Sequence, residues 1–355
     1  MTSDIRDELF DAQDPTGEDR EPPRRHRGRN ILLAIVALFL VAVIAVVAVV
    51  ALYVNSLSRS YDSGVTALPS ASAFPEDAER PAETEGRTIL LLGSDQRPEG
   101  GGEGGREGAR ADSIMLMHIP ADGGEVYVMS VLRDTWVDIP GVGPAKINAA
   151  YQNGGMPLMV ETLESSFGTR IDEVMSVDFA GFEGLVDALG GVTVDVPETF
   201  TADSGALFPQ GPMEMDGATA LEFVRERHAF ADSDFSRVEN QRAFIRALLD
   251  RFLDPSVLTS PSTISDVVDT ISPFLTVSEG LDSGFIRGLV PDLVGVSGSD
   301  IHMFTVPTGG IGTSADGQSI VIADEQAMQE IGDAIDAGTL DEHYQGLAAE
   351  DGSGL

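Results

Sequence analysis

Arginine, aspartate and glutamine side chains recur in short phrases along an acidic chain, and their types and order suit phosphate chemistry. The members, in chain order, are Asp95, Arg110, Asp112, Arg133, Arg225, Arg227, Asp234, Arg237 and Gln241. Guanidinium groups bind phosphate through paired hydrogen bonds, and pairs of carboxylates suit a hard divalent ion. The pattern therefore predicts a metal-assisted phosphate or pyrophosphate site.

Asp95 and Asp112 are the candidate metal ligands because each adjoins the end of a predicted strand. The apolar run 88–94 predicts a strand that ends before Asp95, and residues 113–119 predict the next strand, just after Asp112. If these strands are close in the sheet, both carboxylates meet at one rim, where Mg²⁺ would complete its shell with water and substrate phosphate. The alternative stays open that Asp95 caps a turn and Asp112 begins a strand in solvent.

Two arginines are also predicted near strand ends. In an extended chain Arg110 and Asp112 point the same way, so a cation and a metal ligand would share one pocket. Arg133 follows the strand predicted over residues 125–132. Each arginine alone fits a surface ion pair, but three strand ends that each carry Asp or Arg favour a common site.

The densest phrase surrounds a predicted helix start. Arg225 and Arg227 converge only if the helix over residues 216–224 has ended there, because residues two apart on a helix face different ways. Arg237 and Gln241 share one face of the next helix, near backbone amides that favour an anion. Asp234 is predicted either to hold these arginines or to act as a base, with capping of the loop as the alternative.

Helix signals place that phrase in the first turn of its helix. Ser236 and Glu239 have the spacing of a capping box, which predicts a helix from there to about residue 252. Frequent alternation of strands and helices along the rest of the chain predicts an α/β domain, with α-β-α layers and a central mixed sheet.

Residues 31–54 contain no charged side chain and predict one transmembrane helix about 36 Å long, preceded by the arginine-rich segment 24–29. Flanking positive charge predicts a cytoplasmic, disordered head over residues 1–30. A cleaved signal peptide is disfavoured because its apolar region is shorter. We therefore expect a single-pass cell-membrane protein with a stalk over residues 55–86. An extracytoplasmic catalytic domain (87–340) and a flexible tail (341–355) would follow.

Composition excludes several classes of protein. A formal net charge of −36 argues against general nucleic-acid binding, which needs a basic face. The absence of cysteine excludes disulfides and thiolate metal sites. The chain has one lysine, Lys146, and it falls inside the phrase KINAAYQNGG.

Seven phrases in order resemble the LytR–CpsA–Psr family of cell-wall polymer transferases, over about residues 87–255. They are TILLLGSDQR, ARADSIMLMHI, SVLRDTWVDIPG, KINAAYQNGG, VDFAGFEGLVDALGGVTVDVP, MDGATALEFVRERH and DFSRVENQRAFI. Two positions depart from the family pattern. Leu132 stands where Pro commonly precedes the Arg-Asp pair, and Asn240 stands where Arg commonly precedes Gln241.

The resemblance implies transfer of a glycopolymer from a polyprenyl-pyrophosphate carrier to peptidoglycan, with formation of a phosphodiester bond. It also implies an apolar channel for the lipid chain. Carried over by position, Asp95 and Asp112 would bind Mg²⁺, and Arg110 would assist transfer directly. Asp234 would be a polar partner in the phosphate network. The phosphate ligands would be Arg110, Arg133, Arg225, Arg227, Arg237 and Gln241.

Two other functions fit the same residues. A hydrolase of polyprenyl pyrophosphate would use the same site with water as the acceptor. A non-catalytic protein that binds polyprenyl lipid or wall polymer would need neither acceptor. Carboxylates at Asp95 and Asp112 together with Arg110 favour an enzyme over a binding protein, but they do not separate water from a sugar hydroxyl.

Overall fold

The structure is a computed structural model that describes residues 51–76, 78–94, 111–226, 229, 234–293 and 296–351. The larger of its two compact units spans Ser56–Leu355 and carries the fold described below. Within the described residues no helix combines the length and the hydropathy that a bilayer crossing needs. Most of the predicted span, residues 31–50, lies outside the described residues, and residues 51–64 form helix α1.

Strands and helices alternate along the described chain. The strands are β1 (Thr66–Leu68), β2 (Arg87–Ser94), β3 (Ala111–Ile119), β4 (Val126–Val131), β5 (Thr135–Ile139), β6 (Gly143–Lys146), β7 (Glu173–Asp178), β8 (Val192–Val196), β9 (Phe200–Thr201), β10 (Leu207–Phe208), β11 (Gly211–Met215), β12 (Leu275–Ser278), β13 (Ile301–Thr305), β14 (Thr308–Thr313) and β15 (Ser319–Ala323). The later helices are α2 (Ser70–Ala73), α3 (Asn148–Phe167), α4 (Phe179–Ala188), α5 (Gly217–Arg225), α6 (Asp234–Leu253), α7 (Pro255–Leu258), α8 (Pro261–Ile271), α9 (Ser283–Leu293), α10 (Glu325–Ala337) and α11 (Leu340–Asp351).

Seven strands form the main sheet in the order β1-β12-β7-β2-β3-β4-β13. The sheet is mixed, because β2 runs parallel to β7 and antiparallel to β3, and β4 runs parallel to β13. A four-stranded sheet, β14-β15-β5-β6, follows the end of β4. The hairpin of β8 and β11 covers a separate cluster of buried residues with α4, α5 and α6.

Both faces of the main sheet are covered by helices. Leu90 and Leu92 of β2 pack with residues of α3 and α10 on one face. Ile89, on the opposite face because side chains alternate along a strand, lies in a cluster with residues of α1 and α8. Residues of β3, β4 and β13 on this second face pack against α6 and α9. The predicted α/β class with α-β-α layers and a mixed sheet is confirmed.

The segment predicted as a stalk is instead part of the fold, so that prediction was wrong. β1 pairs in parallel with β12 at the edge of the main sheet. Tyr61 is buried, and its hydroxyl donates to the carbonyl of Leu281 at 3.0 Å. The guanidinium of Arg80 binds the carboxylate of Glu164 at 2.6 Å. The sequence did not indicate these contacts, because the segment is rich in small and polar residues and each contact is made by one residue without a periodic pattern.

The tail predicted to be flexible over residues 341–355 also differs. Residues Leu340–Asp351 form α11, and Tyr344 lies against the rings of Tyr127, His302 and Phe304. Leu340 and Leu347 of the same helix also pack against the main core, so one face of α11 is docked, which the acidic sequence did not indicate. The last four residues lie outside the described part of the chain.

Gly332 permits the closest helix contact of the main core. A Cβ at this position of α10 would lie 1.7 Å from the carbonyl oxygen of Phe167 at the end of α3. We expect Gly332→Ala to lower the free energy of unfolding by about 2 kcal/mol, because overpacking forces the helices apart. Urea unfolding followed by circular dichroism measures the change.

Gly346 supplies the matched control on α11. A Cβ there would meet no atom within 4 Å. Gly346→Ala is expected to leave stability unchanged or to raise it by up to about 1 kcal/mol, through helix propensity alone. Equal destabilisation by the two substitutions would contradict the close contact at Gly332.

Candidate active site

Five strands of the main sheet have an end at the same edge, the edge that runs across the strands rather than along β1 or β13. β2, β4, β7 and β13 end there, and β3 begins there, because β2 and β4 are antiparallel to β3 and parallel to β7 and β13 respectively. The register places Ser94 opposite both Ala111 and Asp178. Edges where several strand ends meet next to loops are common ligand sites. We call this edge the rim.

The candidate metal ligands are next to rim residues in the sequence. Asp112 is the second residue of β3, so its backbone lies beside the end of β2, and Asp95 is the residue that follows β2 in the sequence. Asp95, Arg110 and Arg227 themselves lie outside the described residues. Among the described residues no group of three or more His, Asp or Glu side chains could hold a metal. The metal assignment stays a prediction.

Arg133 lies at the rim two residues after β4, as predicted. Its side chain is 12% exposed, and its Nε lies 3.8 Å from Oδ2 of Asp134. The ammonium of Lys146 contacts the other carboxylate oxygen, Oδ1, at 3.1 Å. Asp134 is therefore held between two cations, which fixes the direction of its carboxylate and leaves the group with net positive charge.

The start of α3 is fastened to the same strand end. The amide of Asn148 donates to the carbonyl of Arg133 at 3.2 Å, and the amide of Ile147 donates to the carbonyl of Thr135 at 2.8 Å. α3 then changes direction at Gly155, whose φ of 67° is a left-handed conformation that glycine tolerates. The kink divides α3 into two helical segments.

A second pair of predicted residues, Arg225 and Gln241, lies on the two helices that make contact here, α5 and α6. The side-chain amide of Gln241 donates to the carbonyl of Val224 at 3.4 Å, next to Arg225. α5 ends at Arg225, and Glu226 is already extended with ψ of 136°. The condition under which Arg225 and Arg227 would converge, the end of the helix at that point, is therefore met.

α4 connects this second pair to the rim. Asp178 ends β7 at the rim and caps α4, where its carboxylate accepts from the amide of Gly181 at 2.8 Å. In the first turn of α4, the ring of Phe182 lies 4.6 Å from that of Phe244 of α6. Gln241 is one turn before Phe244 on α6, so α4 packs against the part of α6 that carries Gln241.

The start of α6 differs from the predicted capping box. α6 begins at Asp234, two residues before Ser236, so Ser236 lies inside the first turn rather than before it. Asp234 is favoured there because an acidic residue complements the helix dipole. Arg237 remains within the first turn, in line with Gln241 one turn later. The side-chain positions of Asp234 and Arg237 stay predictions.

Comparison with known proteins decides the family. The model of the LytR_cpsA_psr family matches residues 53–336. The chain belongs to the LytR–CpsA–Psr family. It is 38% identical over 208 residues to the probable cell wall biosynthesis protein LcpB of Corynebacterium glutamicum, a match that covers 56% of this chain and 50% of LcpB. This chain spans about half the length of LcpB and of LcpA from the same bacterium.

Another relative and a solved structure extend the comparison. TagU of Oceanobacillus iheyensis, named a polyisoprenyl-teichoic acid–peptidoglycan teichoic acid transferase, is 31% identical over 259 residues, which cover 71% of this chain and 76% of TagU. The crystal structure of Bacillus subtilis TagV aligns with a TM-score of 0.59 at 24% identity, covering 73% of this chain and 99% of that chain. The latter likeness establishes the shared LytR–CpsA–Psr fold.

Both departures from the family pattern are buried. Leu132 is 2% exposed and contacts Val321 of β15. Asn240 is also 2% exposed, and its Nδ2 finds no hydrogen-bond partner among the described residues. A buried amide without a partner is costly, so Asn240 is an unusual feature of this LytR–CpsA–Psr protein.

Two cations near the proposed site were not assigned a role from the sequence. Lys146 binds Asp134, and its being the only lysine of the chain is the signal that could have found it. Arg242, next to Gln241, donates to the carbonyl of Met303 at 3.0 Å and so attaches α6 to β13. Burial, with a smaller contribution from Arg246, lowers the pKa of the Arg242 guanidinium. Nothing in the sequence distinguishes this structural arginine from the phosphate-binding candidates.

Proposed function

We propose that this protein transfers a glycopolymer from a polyprenyl-pyrophosphate carrier to peptidoglycan and forms a phosphodiester bond. The observation that carries the proposal is the group of Arg133, Asp134 and Lys146 at the rim, in a chain that belongs to a family with named teichoic acid transferases. The likeness to TagU, which extends over most of both chains, supports the reaction class.

The proposed metal site has the chemistry that Mg²⁺ requires. Asp95 and Asp112 would supply carboxylate oxygens from the end of β2 and the start of β3, and hard oxygen ligands are those that Mg²⁺ prefers. When bound, the ion would neutralise phosphate charge. Ser94 and Ala111 are register partners, and this pairing supports a placement of the adjacent residues, Asp95 and Asp112, side by side at the rim.

The phosphate ligands would come from both groups of residues described above. Arg133 lies in the first group, and Arg225 and Gln241 lie in the second. Arg110, Arg227 and Arg237 complete the proposed set. Guanidinium groups fit here because phosphoryl transfer depends mainly on positioning and on neutralisation of charge.

The transfer step follows from that arrangement. The acceptor hydroxyl oxygen attacks the phosphorus that carries the glycopolymer, while the bond from that phosphorus to the bridging oxygen breaks. Polyprenyl phosphate leaves with the bond's electrons, which Arg110 would stabilise. The hydroxyl proton goes to Asp234, the proposed base at the start of α6. An apolar channel would hold the lipid chain.

The membrane location is part of the proposal. The apolar segment 31–54 would anchor the protein once in the cell membrane, with its N-terminus in the cytoplasm and the catalytic domain outside the cell. This placement is supported by the substrates, because a polyprenyl carrier stays in the bilayer and peptidoglycan is extracytoplasmic.

One reconstitution separates the proposed function from the two alternatives. Full-length protein in lipid vesicles is incubated with Mg²⁺, a polyprenyl-pyrophosphate glycan and peptidoglycan fragments, and the products are separated by mass spectrometry. We expect a glycan coupled to the fragments and free polyprenyl phosphate, with both lost in excess EDTA and restored by Mg²⁺. Polyprenyl phosphate without coupled glycan would identify a hydrolase. Binding without turnover would identify a non-catalytic protein.

A further inference from the structure

A polar pocket opens beside Arg133, next to the four-stranded sheet β14-β15-β5-β6. Its volume is about 330 Å³, and residues of β6, α3 and the β14–β15 turn enclose it together with the Arg133–Asp134 pair. The lining residues are Arg133, Asp134, Ala145, Lys146, Asn148, Ala149, Gln152 and Gln318. We call it the carboxamide pocket, because three of its lining residues are Asn or Gln. The proposed function above uses Arg133, Asp134 and Lys146 but assigns no role to the Asn and Gln residues of this pocket.

The carboxamides approach the pocket from two elements that are far apart in the sequence. Asn148 and Gln152 are four residues apart and therefore share one face of α3. Gln318 comes from the turn before β15 and donates through Nε2 to Asp316 at 2.7 Å, which holds its amide in place. Each carboxamide offers both donors and an acceptor, as the hydroxyl and acetamido groups of a sugar do.

The pocket carries a single net positive charge. Asp134 lies between Lys146 at 3.1 Å and Arg133 at 3.8 Å, so one carboxylate offsets one of the two cations. A second phosphate would meet the carboxylate of Asp134 at close range, which disfavours it. An uncharged polyhydroxyl group next to a single phosphate at Arg133 fits both the charge and the donors and acceptors.

The dimensions agree with one ring. Ligand pockets in proteins enclose roughly 300–1,000 Å³, and the carboxamide pocket lies at the lower end of that range. The small side chains of Ala145 and Ala149 lie between the polar groups, so a ring has space close to the backbone of β6 and α3.

We propose that the carboxamide pocket holds one sugar ring. This ring either already carries the phosphate that Arg133 binds or accepts that phosphate during transfer. The inference rests on the proposed transfer function and adds the subsite that recognises the sugar. The ring belongs either to the donor glycopolymer or to the peptidoglycan acceptor, and the two share the same hydroxyl and acetamido chemistry.

Gln152→Ala tests the pocket, with Asn153→Ala as the matched control. Both residues are exposed on α3, but Asn153 does not line the pocket, and its amide donates to the carbonyl of Ala149 within the helix. Both variants are expected to fold, because both positions are exposed and alanine has a high helix propensity. A second pocket variant, Gln318→Ala, tests the opposite wall.

Steady-state kinetics in the reconstituted full-length system identify the source of the sugar. Loss of one hydrogen bond is expected to raise one Michaelis constant about threefold to tenfold in Gln152→Ala and Gln318→Ala, with kcat within about twofold. A rise in KM for the polyprenyl-pyrophosphate glycan assigns the ring to the donor, and a rise for the peptidoglycan fragment assigns it to the acceptor. Unchanged constants for both substrates, or equal effects in Asn153→Ala, would overturn the proposal.

Binding measured without turnover keeps this outcome separate from the proposed function. Saturation-transfer NMR of a soluble N-acetylglucosaminyl–N-acetylmuramic acid disaccharide, and of a short-chain polyprenyl-pyrophosphate N-acetylglucosamine, is recorded with full-length protein in detergent micelles. Transfer to the sugar protons of one probe is expected, reduced in the two pocket variants and retained in Asn153→Ala. Absence of sugar contact in the native protein refutes the subsite even if transferase activity is present. Sugar contact without transfer refutes only the reaction.

Discussion

Replacement of Arg110 or Asp112 by alanine is expected to slow glycopolymer transfer by about 100- to 1,000-fold while the fold stays intact. Preorganised groups that neutralise developing charge have effects of this size when one is removed. Arg110 is proposed to stabilise the departing phosphate, and Asp112 to hold the metal at the start of β3. The measurement is kcat/KM for coupled glycan in the reconstituted system, with circular dichroism on each variant.

Charged residues at the opposite edge of the same sheet supply the controls. Arg170 lies just before β7 begins, and Asp122 lies in the turn between β3 and β4. Arg170→Ala and Asp122→Ala remove the same charges from the far side of the molecule and are expected to keep transfer within about threefold of the native rate. Native rates in the Arg110 and Asp112 variants, or equal losses in the controls, would reject the proposed roles.

Arg80→Ala is expected to have the largest effect on stability, a loss of about 3 kcal/mol in the free energy of unfolding. Glu164 is 4% exposed, and its carboxylate accepts from Arg80 and from the amide of Ile171 at 2.9 Å. Removal of the guanidinium leaves a buried carboxylate without its counter-charge. Arg80 also donates to the carbonyl of Ile171 and stacks over Phe74 at 4.4 Å, contacts that are lost together with it.

Arg170→Ala is the matched control for this prediction as well. Arg170 faces Glu83 at 3.7 Å, but Glu83 is 82% exposed. An exposed pair contributes about 0–1 kcal/mol, so the control is expected to lose no more than that. Urea unfolding of both variants followed by circular dichroism gives the comparison. A loss below 1 kcal/mol for Arg80→Ala would show that the segment before β2 contributes little to the fold.

The elements with a clear hydrophobic period were predictable from the sequence. The runs that became β2 and β3 are apolar on both sides, which matches a sheet covered by helices on both faces. The end of α5 at Arg225 likewise follows the predicted boundary closely.

Elements held by single long-range contacts were not predictable. β1 depends on pairing with β12, about 200 residues later, and no local period marks that contact. α11 was missed for another reason: Leu340, Tyr344 and Leu347 have helical spacing, but they are few among the acidic and small residues of the tail. The candidate site shows the same division. Arg133 and the adjacent Asp134 were placed by the strand that precedes them, whereas Lys146 joins them only because β5 and β6 pair. A pairing of short strands without regular alternation leaves no local signal.

The second sheet gives the carboxamide pocket a built-in optical signal. Trp136, the chain's only tryptophan, is the register partner of Lys146 across β5 and β6, and such partners extend from the same face of a sheet. Indole emission shifts with the polarity and hydration of its surroundings. All intrinsic tryptophan fluorescence of this protein therefore originates at the register partner of a pocket residue, and binding of a sugar in the pocket is expected to change it without any added label.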